Sequence, residues 1–318
     1  MQREIMKLSR RAVLAGGAAL MAGMAAEDKT ARQKLKVTIF SKHLQFVQGE
    51  ELAKAAAEIG FDGIDITVRK GGHVAPERVR QDLPPLVAII RQHGLEVPMI
   101  TTDIVDTQSP EAEEILKVMS ELGIRNYRWG GLKYTGDAPM AAQLEAMKPR
   151  VAKLAAMNSK YKTSAMYHTH SGIGVVGASI WDLHILLKDF DPAAVGVNYD
   201  IGHATIEGGF GGWINSFRIT GPHVRGVAVK DFLWSKDAKG AWRPQWTPLG
   251  DGMVHFAQFF KMLGESQFSG PLQVHFEYPL GGADKGTAKL TTSREEVYGA
   301  MKSDLRKLRK YLGEASLG

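Results

Sequence analysis

From Lys36 to Gly313 the chain alternates, eight times over, between a short β-rich run and a helix-forming segment. Few architectures accept that rhythm. The runs are KVTIFSK (36–42), GIDITVR (63–69), EVPMITTD (96–103), NYRWGG (126–131), KTSAMYHTH (162–170), VGVNYDIGH (195–203), VRGVAVKDF (224–232) and PLQVHFEY (271–278). They favour Val, Ile, Thr and aromatic residues, which suit a pleated surface. Between and after them fall the helix-forming segments 49–60, 76–94, 110–123, 142–161, 178–190, 211–220, 255–267 and 293–313. Gly60 and Gly94 close the first two, and Pro84-Pro85 is expected to interrupt the second. Strands alternating with helices imply parallel pairing. Eight such units at this length imply an α/β fold, a single-domain (β/α)8 TIM barrel over residues 34–315. The rival, an open doubly wound sheet, carries a glycine-rich phosphate loop after its first strand. FSKHLQF has none.

The first 26 residues stand outside the rhythm. SRRAVLAGGAALMAGMAA carries Ser9, the pair Arg10-Arg11, a weakly apolar run, and small residues up to Ala25 and Ala26. Those features come in the order of a secretory signal, and SRRxVL resembles a twin-arginine export signal. The run is too short to span a bilayer. The expectation is a periplasmic protein, delivered by the twin-arginine translocation machinery, with no stable membrane span after processing. Arg3, Lys7, Arg10 and Arg11 against Glu4 give this segment +3, half of the whole chain's +6. The excess that remains is too small to argue for nucleic acid. The chain has no cysteine, which excludes disulfides, thiolate nucleophiles and Cys-ligated zinc. A homo-oligomer is compatible with all of this.

In a (β/α)8 barrel the chemistry sits at the C-terminal ends of the strands. The runs end on Lys42-His43; on Asp65, Arg69 and His73; on Thr101-Thr102-Asp103; on Tyr127-Arg128-Trp129; on His168-Thr169-His170; on Asp200 and His203; on Lys230-Asp231 and Trp234; and on His275 and Glu277. Six of the ten histidines fall there, which scattered surface histidines would not do. Each residue also has a structural reading. Asp200 could cap the next turn, His168 and His170 could be a hydrogen-bonded interior pair, and Lys230-Asp231 could be an ion pair. Arg69 and Arg128 could be salt-bridge partners, and Trp129, Trp234 and Tyr278 could belong to the core. Taken together, imidazoles and carboxylates at one barrel end suit one divalent ion, Mn²⁺, Zn²⁺ or Co²⁺. Such an ion polarises a carbonyl or hydroxyl pair on a sugar, and a carboxylate beside it moves a proton on the adjacent carbon.

FDGIDITVR, YDIGHA, VAVKDF and HFEYP resemble the xylose-isomerase-like TIM-barrel superfamily of sugar phosphate isomerases and epimerases, and the likeness covers nearly all of the chain after its signal. Epimerase-like members bind one divalent metal through a Glu on strand 5, an Asp on strand 6, a His on strand 7 and a Glu on strand 8. The two glutamates also handle the substrate's protons. Carried over residue by residue, the resemblance implies that the Asp is Asp200 and the strand 8 Glu is Glu277. The histidine after Asp200, a substrate contact in the family, is His203. The strand 5 position holds His168, a ligand type but a poor base. The strand 7 position holds Ala228, which binds no metal. The resemblance thus implies a depleted set, His168, Asp200 and Glu277, which His170 or His203 could complete. Lys230 becomes a candidate to stabilise an enediolate itself.

The resulting expectation is a carbohydrate isomerase or epimerase acting on an unphosphorylated sugar or keto-sugar, the preference for unphosphorylated substrates following from export. Glu277, His203 and Lys230 are the expected catalytic residues. His43, Arg69, His73, Arg128, His170, Asp231, Trp234 and His275 are expected to contact the substrate. YHTHSG resembles the histidine-rich strand 5 of inosose dehydratases, so a keto-sugar lyase or dehydratase at the same site is the second reading. A sugar-binding barrel with a decayed metal site, for which Ala228 speaks, is the third. The three-tryptophan segment 234–251 is expected to form a lid.

Overall fold

Residues 34–318 are described by the computed structural model; the export-signal expectation for 1–26 lies outside them. The eight runs close into one parallel barrel of β1 (Val37–Phe40), β2 (Gly63–Val68), β3 (Met99–Thr102), β4 (Asn126–Trp129), β5 (Ser164–His168), β6 (Val195–Asp200), β7 (Val224–Val229) and β10 (Leu272–Val274). Closure comes from β10 pairing with both β1 and β7. Helices follow the strands: α1 (Gly49–Ile59), α2 (Val79–Gln92), α3 (Ala112–Glu121), α4 (Met140–Tyr161), α5 (Trp181–Leu187), α6 (Ile201–Gly208), α7 (Gly212–Thr220), α8 (Phe256–Glu265) and α9 (Arg294–Glu314). Among the described residues no helix is long and apolar enough to cross a membrane.

Alternation along each strand sorts side chains to two faces. Tyr127 on β4 sends its hydroxyl to Asn158 of α4, and Tyr199 on β6 sends its own to the carbonyl of Trp213 on α7. Their neighbours Arg128, Asn198 and Asp200 therefore face the barrel interior. Gln273 of β10 reaches Met99 of β3 across that interior. Parallel barrel strands are usually apolar on both faces. Here the inner face becomes polar toward the C-terminal strand ends, which builds a site there.

Asn158 shows how the outer layer is locked. Its Oδ1 accepts from Tyr127 (3.0 Å) and Thr163 (2.9 Å), and its Nδ2 donates to the carbonyl of Ala194 (3.0 Å). All three bonds are buried. Asn158→Ala strands those partners, so it is expected to cost about 2–3 kcal/mol in urea unfolding; a loss under about 0.5 kcal/mol would contradict this account.

Two local features differ from expectation. The helix α2 runs unbroken through Pro84 and Pro85. The carbonyls these prolines leave without a donor belong to Arg80 and Gln81, exposed residues whose carbonyls solvent can reach. The sixth strand stops at Asp200, whose side chain accepts from the backbone N–H of His203 and so starts α6. Segment 234–251 lies largely in an antiparallel hairpin, β8 (Asp231–Lys236) with β9 (Trp242–Thr247).

Candidate active site at the barrel mouth

His168, Asp200 and His275 each present a ligand atom, all within 4.8 Å of one another. Nε2 of His168 and Nδ1 of His275 are buried and lack hydrogen-bond partners, and Oδ2 of Asp200 is buried with only the Lys230 ammonium (3.2 Å) and His168 Nε2 (3.4 Å) near it. Two orphaned imidazole nitrogens facing a carboxylate oxygen are costly unless something binds them. The outer partners suit a cation. Nε2 of His275 meets Oε1 of Gln273 (3.1 Å), which leaves the Nδ1 lone pair free. Nδ1 of His168 meets Nδ2 of the Asn198 side-chain amide (3.0 Å), whose Oδ1 is buried without a partner. With that amide turned so that its oxygen faces the ring, Nε2 is free as well. This donor set fits a divalent metal. The third member is His275 rather than Glu277, which differs from the expected set. Ala228, beside Asp200 in the strand register, offers no donor.

Glu277 turns to Lys230 instead. Lys230, just past the end of β7, is a buried ammonium. Its Nζ lies 3.1 Å from Glu277 Oε2, 3.2 Å from Asp200 Oδ2 and 2.8 Å from His203 Nε2. It also sits 4.4 Å from the Trp246 ring centroid. His203 accepts from Lys230 through Nε2, so its Nδ1–H donates to Ser171 (2.8 Å). The glycine in DIGH has a reason too. A Cβ at Gly202 would come within 2.8 Å of the Lys230 side chain, so the first turn of α6 packs directly on the lysine.

Electrostatics separate the two acids. Burial raises Asp200 to about 6, against the pull of Lys230. Glu277 is partly buried, but Lys230 and Lys42 outweigh this and hold it down to about 2. Burial drives His168, His203 and His275 well below their ordinary value. All three are neutral at physiological pH and free to act as ligands or acceptors.

Other expected site residues take different places. His170 accepts from Arg128 (2.9 Å), and its ring lies 4.7 Å from that of His168 and 4.5 Å from that of His203. Arg69 and Arg128 both lie against the Phe40 ring. His43 bonds the carbonyl of Ala283 and the N–H of Phe276, so it anchors the backbone beside Glu277. His73 has both ring nitrogens engaged, by Thr67 and the carbonyl of Val47. The carboxylate of Asp231 accepts from the amides of Phe232, Gly250, Gly252 and Val254 and so ties the hairpin base. Trp234 packs on Phe232 in the hairpin. The polar atoms of His43, His73 and Asp231 are engaged by these partners, while Trp234 remains exposed on the hairpin. Trp129 and Tyr278 are buried, as a core role requires. Not singled out from sequence were Phe40, Ser171, Asn198 and Gln273; Trp246 was present only as part of the expected lid.

The third ligand can be tested directly. The chain purified without chelator is expected to carry about one equivalent of divalent metal, and His275→Ala to lose most of it in elemental analysis. Metal retained in His275→Ala but lost in Glu277→Gln would restore Glu277 as the ligand.

The sequence profile of the family described as "Xylose isomerase-like TIM barrel" matches residues 53–299. No curated protein sequence matches the chain. Solved structures do. The zinc-bound IOLI protein superposes with a TM-score of 0.67 at 14% identity, over 87% of this chain and 99% of that one. A D-tagatose 3-epimerase-like protein gives 0.64 at 14%, over 88% and 98%. The probable 3-DHS dehydratase AsbF from Bacillus anthracis gives 0.62 at 15%, over 86% and 99%. At such identities the likeness is one of fold.

Proposed function

The chain belongs to the xylose isomerase-like TIM barrel family, and from that premise we propose that it is a carbohydrate isomerase or epimerase. Its substrate is an unphosphorylated sugar or keto-sugar, and its first step removes a proton next to a carbonyl. The observation that carries this reading is the Glu277–Lys230 pair. Glu277 is ionised, with a side chain 21% exposed, beside an ammonium that is otherwise buried. Glu277 takes the carbon-bound proton. The negative charge that develops on the neighbouring oxygen faces Lys230, a pre-positioned cation in a dry setting. Lys230 lowers the basicity of Glu277 and stabilises the enediolate, and the second effect outweighs the first when the charge on oxygen is the larger barrier. His203, neutral and accepting from Lys230, aims the ammonium. A divalent ion held by His168, Asp200 and His275 would polarise the substrate's oxygens. Moving the hydroxyl proton of that carbon to the former carbonyl oxygen and returning the abstracted proton to the adjacent carbon gives the isomer; a proton delivered to the opposite face of the original carbon gives the epimer.

A second reading has its own support. The position that holds a second glutamate in epimerase-like relatives holds the buried His168. One base with one cation suffices to expel a leaving group β to the carbonyl, so elimination is the alternative. Likeness to sugar epimerases and to a dehydratase supports both. Mass spectrometry after incubation with aldoses, ketoses and keto-glycosides separates them. A product of equal mass is expected; a product lighter by water or an aglycone would make the enzyme a lyase. Tight binding with no product from any of them would make it a binding barrel.

A further inference from the structure

Three cations at the barrel mouth make no direct salt bridge among the described residues. Lys42 follows β1, Arg69 follows β2 and Arg128 is on β4. Among the described residues none of the three has a carboxylate within salt-bridge distance, whereas the nearby Lys230 has two. The guanidinium carbons of Arg69 and Arg128 lie 5.4 and 5.9 Å from the centroid of one ring, Phe40. Two like charges against one phenyl ring repel each other, and no carboxylate among the described residues forms a salt bridge with either. Burial lowers the pKa of Arg128 and the charge of Arg69 adds to the effect, while Asp65, Asp200 and Glu277 oppose it without reversing it. Lys42 is lowered by burial too; Glu277 opposes this, while Lys230, Arg69 and Arg128 reinforce it.

The acid that faces Arg128 does not neutralise the group. One oxygen of Asp65 accepts from Thr101, the other has no partner, and burial raises its pKa to about 7. Of the five N–H donors on Arg128, one meets His170. The side chain of Arg69 makes no hydrogen bond among the described residues and is half-buried. Forked donors held on an aromatic face match an oxyanion with two or more acceptor oxygens. The pocket adjoins the metal cluster, because the Phe40 ring stacks on His275 at 4.8 Å.

We propose that Arg69, Arg128 and Lys42 form an oxyanion pocket that receives a carboxylate of the substrate, so that the enzyme acts on a sugar acid rather than a neutral sugar. This deepens, and rests on, the carbohydrate-enzyme reading above. A phosphate monoester offers the same oxyanion chemistry and is the competing source of the charge.

Calorimetric titration of the full chain with D-glucuronate and D-galacturonate, beside D-glucose, D-galactose and D-glucose 6-phosphate, tests the pocket. At least one uronate is expected to bind about tenfold or more tighter than its parent aldose, and Arg69→Gln to remove most of that gain. Arg128→Gln should do the same. Because Arg128 also holds His170, the Arg69 variant, checked by its thermal melt, is the deciding one. Uronates that bind no better than their aldoses, or not at all, overturn the proposal, as does a preference that survives Arg69→Gln. Tighter binding of glucose 6-phosphate than of either uronate overturns it in favour of phosphate. Turnover is not read in this experiment. A uronate that binds through Arg69 and is neither isomerised nor eliminated leaves the pocket standing and removes the reaction reading instead.

Discussion

Glu277→Gln is expected to lower kcat about a thousandfold, the scale of losing a positioned general base, and to leave the protein folded. The glutamine is isosteric, and its amide oxygen can still accept from Lys230, now 3.1 Å from Oε2. The substitution also relieves the repulsion that Glu277 exerts on Asp200. The melting temperature should therefore move by about 5 °C or less. KM should change far less than kcat, because the lost interaction belongs to the transition state. A variant keeping more than about a tenth of the wild-type rate would show that another group removes the proton.

Lys230→Met is expected to damage both stability and rate. The ammonium is buried against two carboxylates and a histidine. Methionine fills the stem but leaves Asp200 and Glu277 side by side without their cation. Breaking a buried charge pair in this way costs about 3–5 kcal/mol. Adding Glu277→Gln should recover part of that loss, because it removes one of the two stranded charges. A coupling of about 1–3 kcal/mol in the double-mutant cycle is the expected result, and additive losses would show that the pair does not act as a unit. Turnover in Lys230→Met should fall by about a hundredfold or more, as when an oxyanion-stabilising donor is removed.

The barrel was legible because its signal is repeated. Eight β-rich runs separated by helical segments leave little choice of fold, and the ends of those runs pointed to Arg128, His168 and Asp200 as mouth residues. The pairing of site residues was less legible. His275 and Glu277 are two apart on the same stretch, so no local pattern tells which one faces His168. That choice is made by Lys230, which reaches Glu277 from another strand end, and by Gln273, which turns the His275 ring. His43, His73 and Asp231 looked like site residues because they sit near strand ends. Backbone partners such as Ala283, Val47 and Gly250, remote in sequence, occupy them instead. The α6 start was hidden because Ile201 continues the apolar run of the strand, although its cap, Asp200, was visible. Pro84 and Pro85 read as a break because tolerance depends on which carbonyls they orphan, and that is a property of the folded surface.

The central claim is that Glu277 removes a carbon-bound proton from a carbohydrate. Solvent exchange tests it most directly: the chain is incubated with unphosphorylated keto-sugars and sugar acids in deuterium oxide, and NMR follows the protons next to the carbonyl. The account predicts deuterium at that carbon with the wild type, and none above the uncatalysed rate with Glu277→Gln. Exchange that persists in Glu277→Gln at the wild-type rate would contradict it.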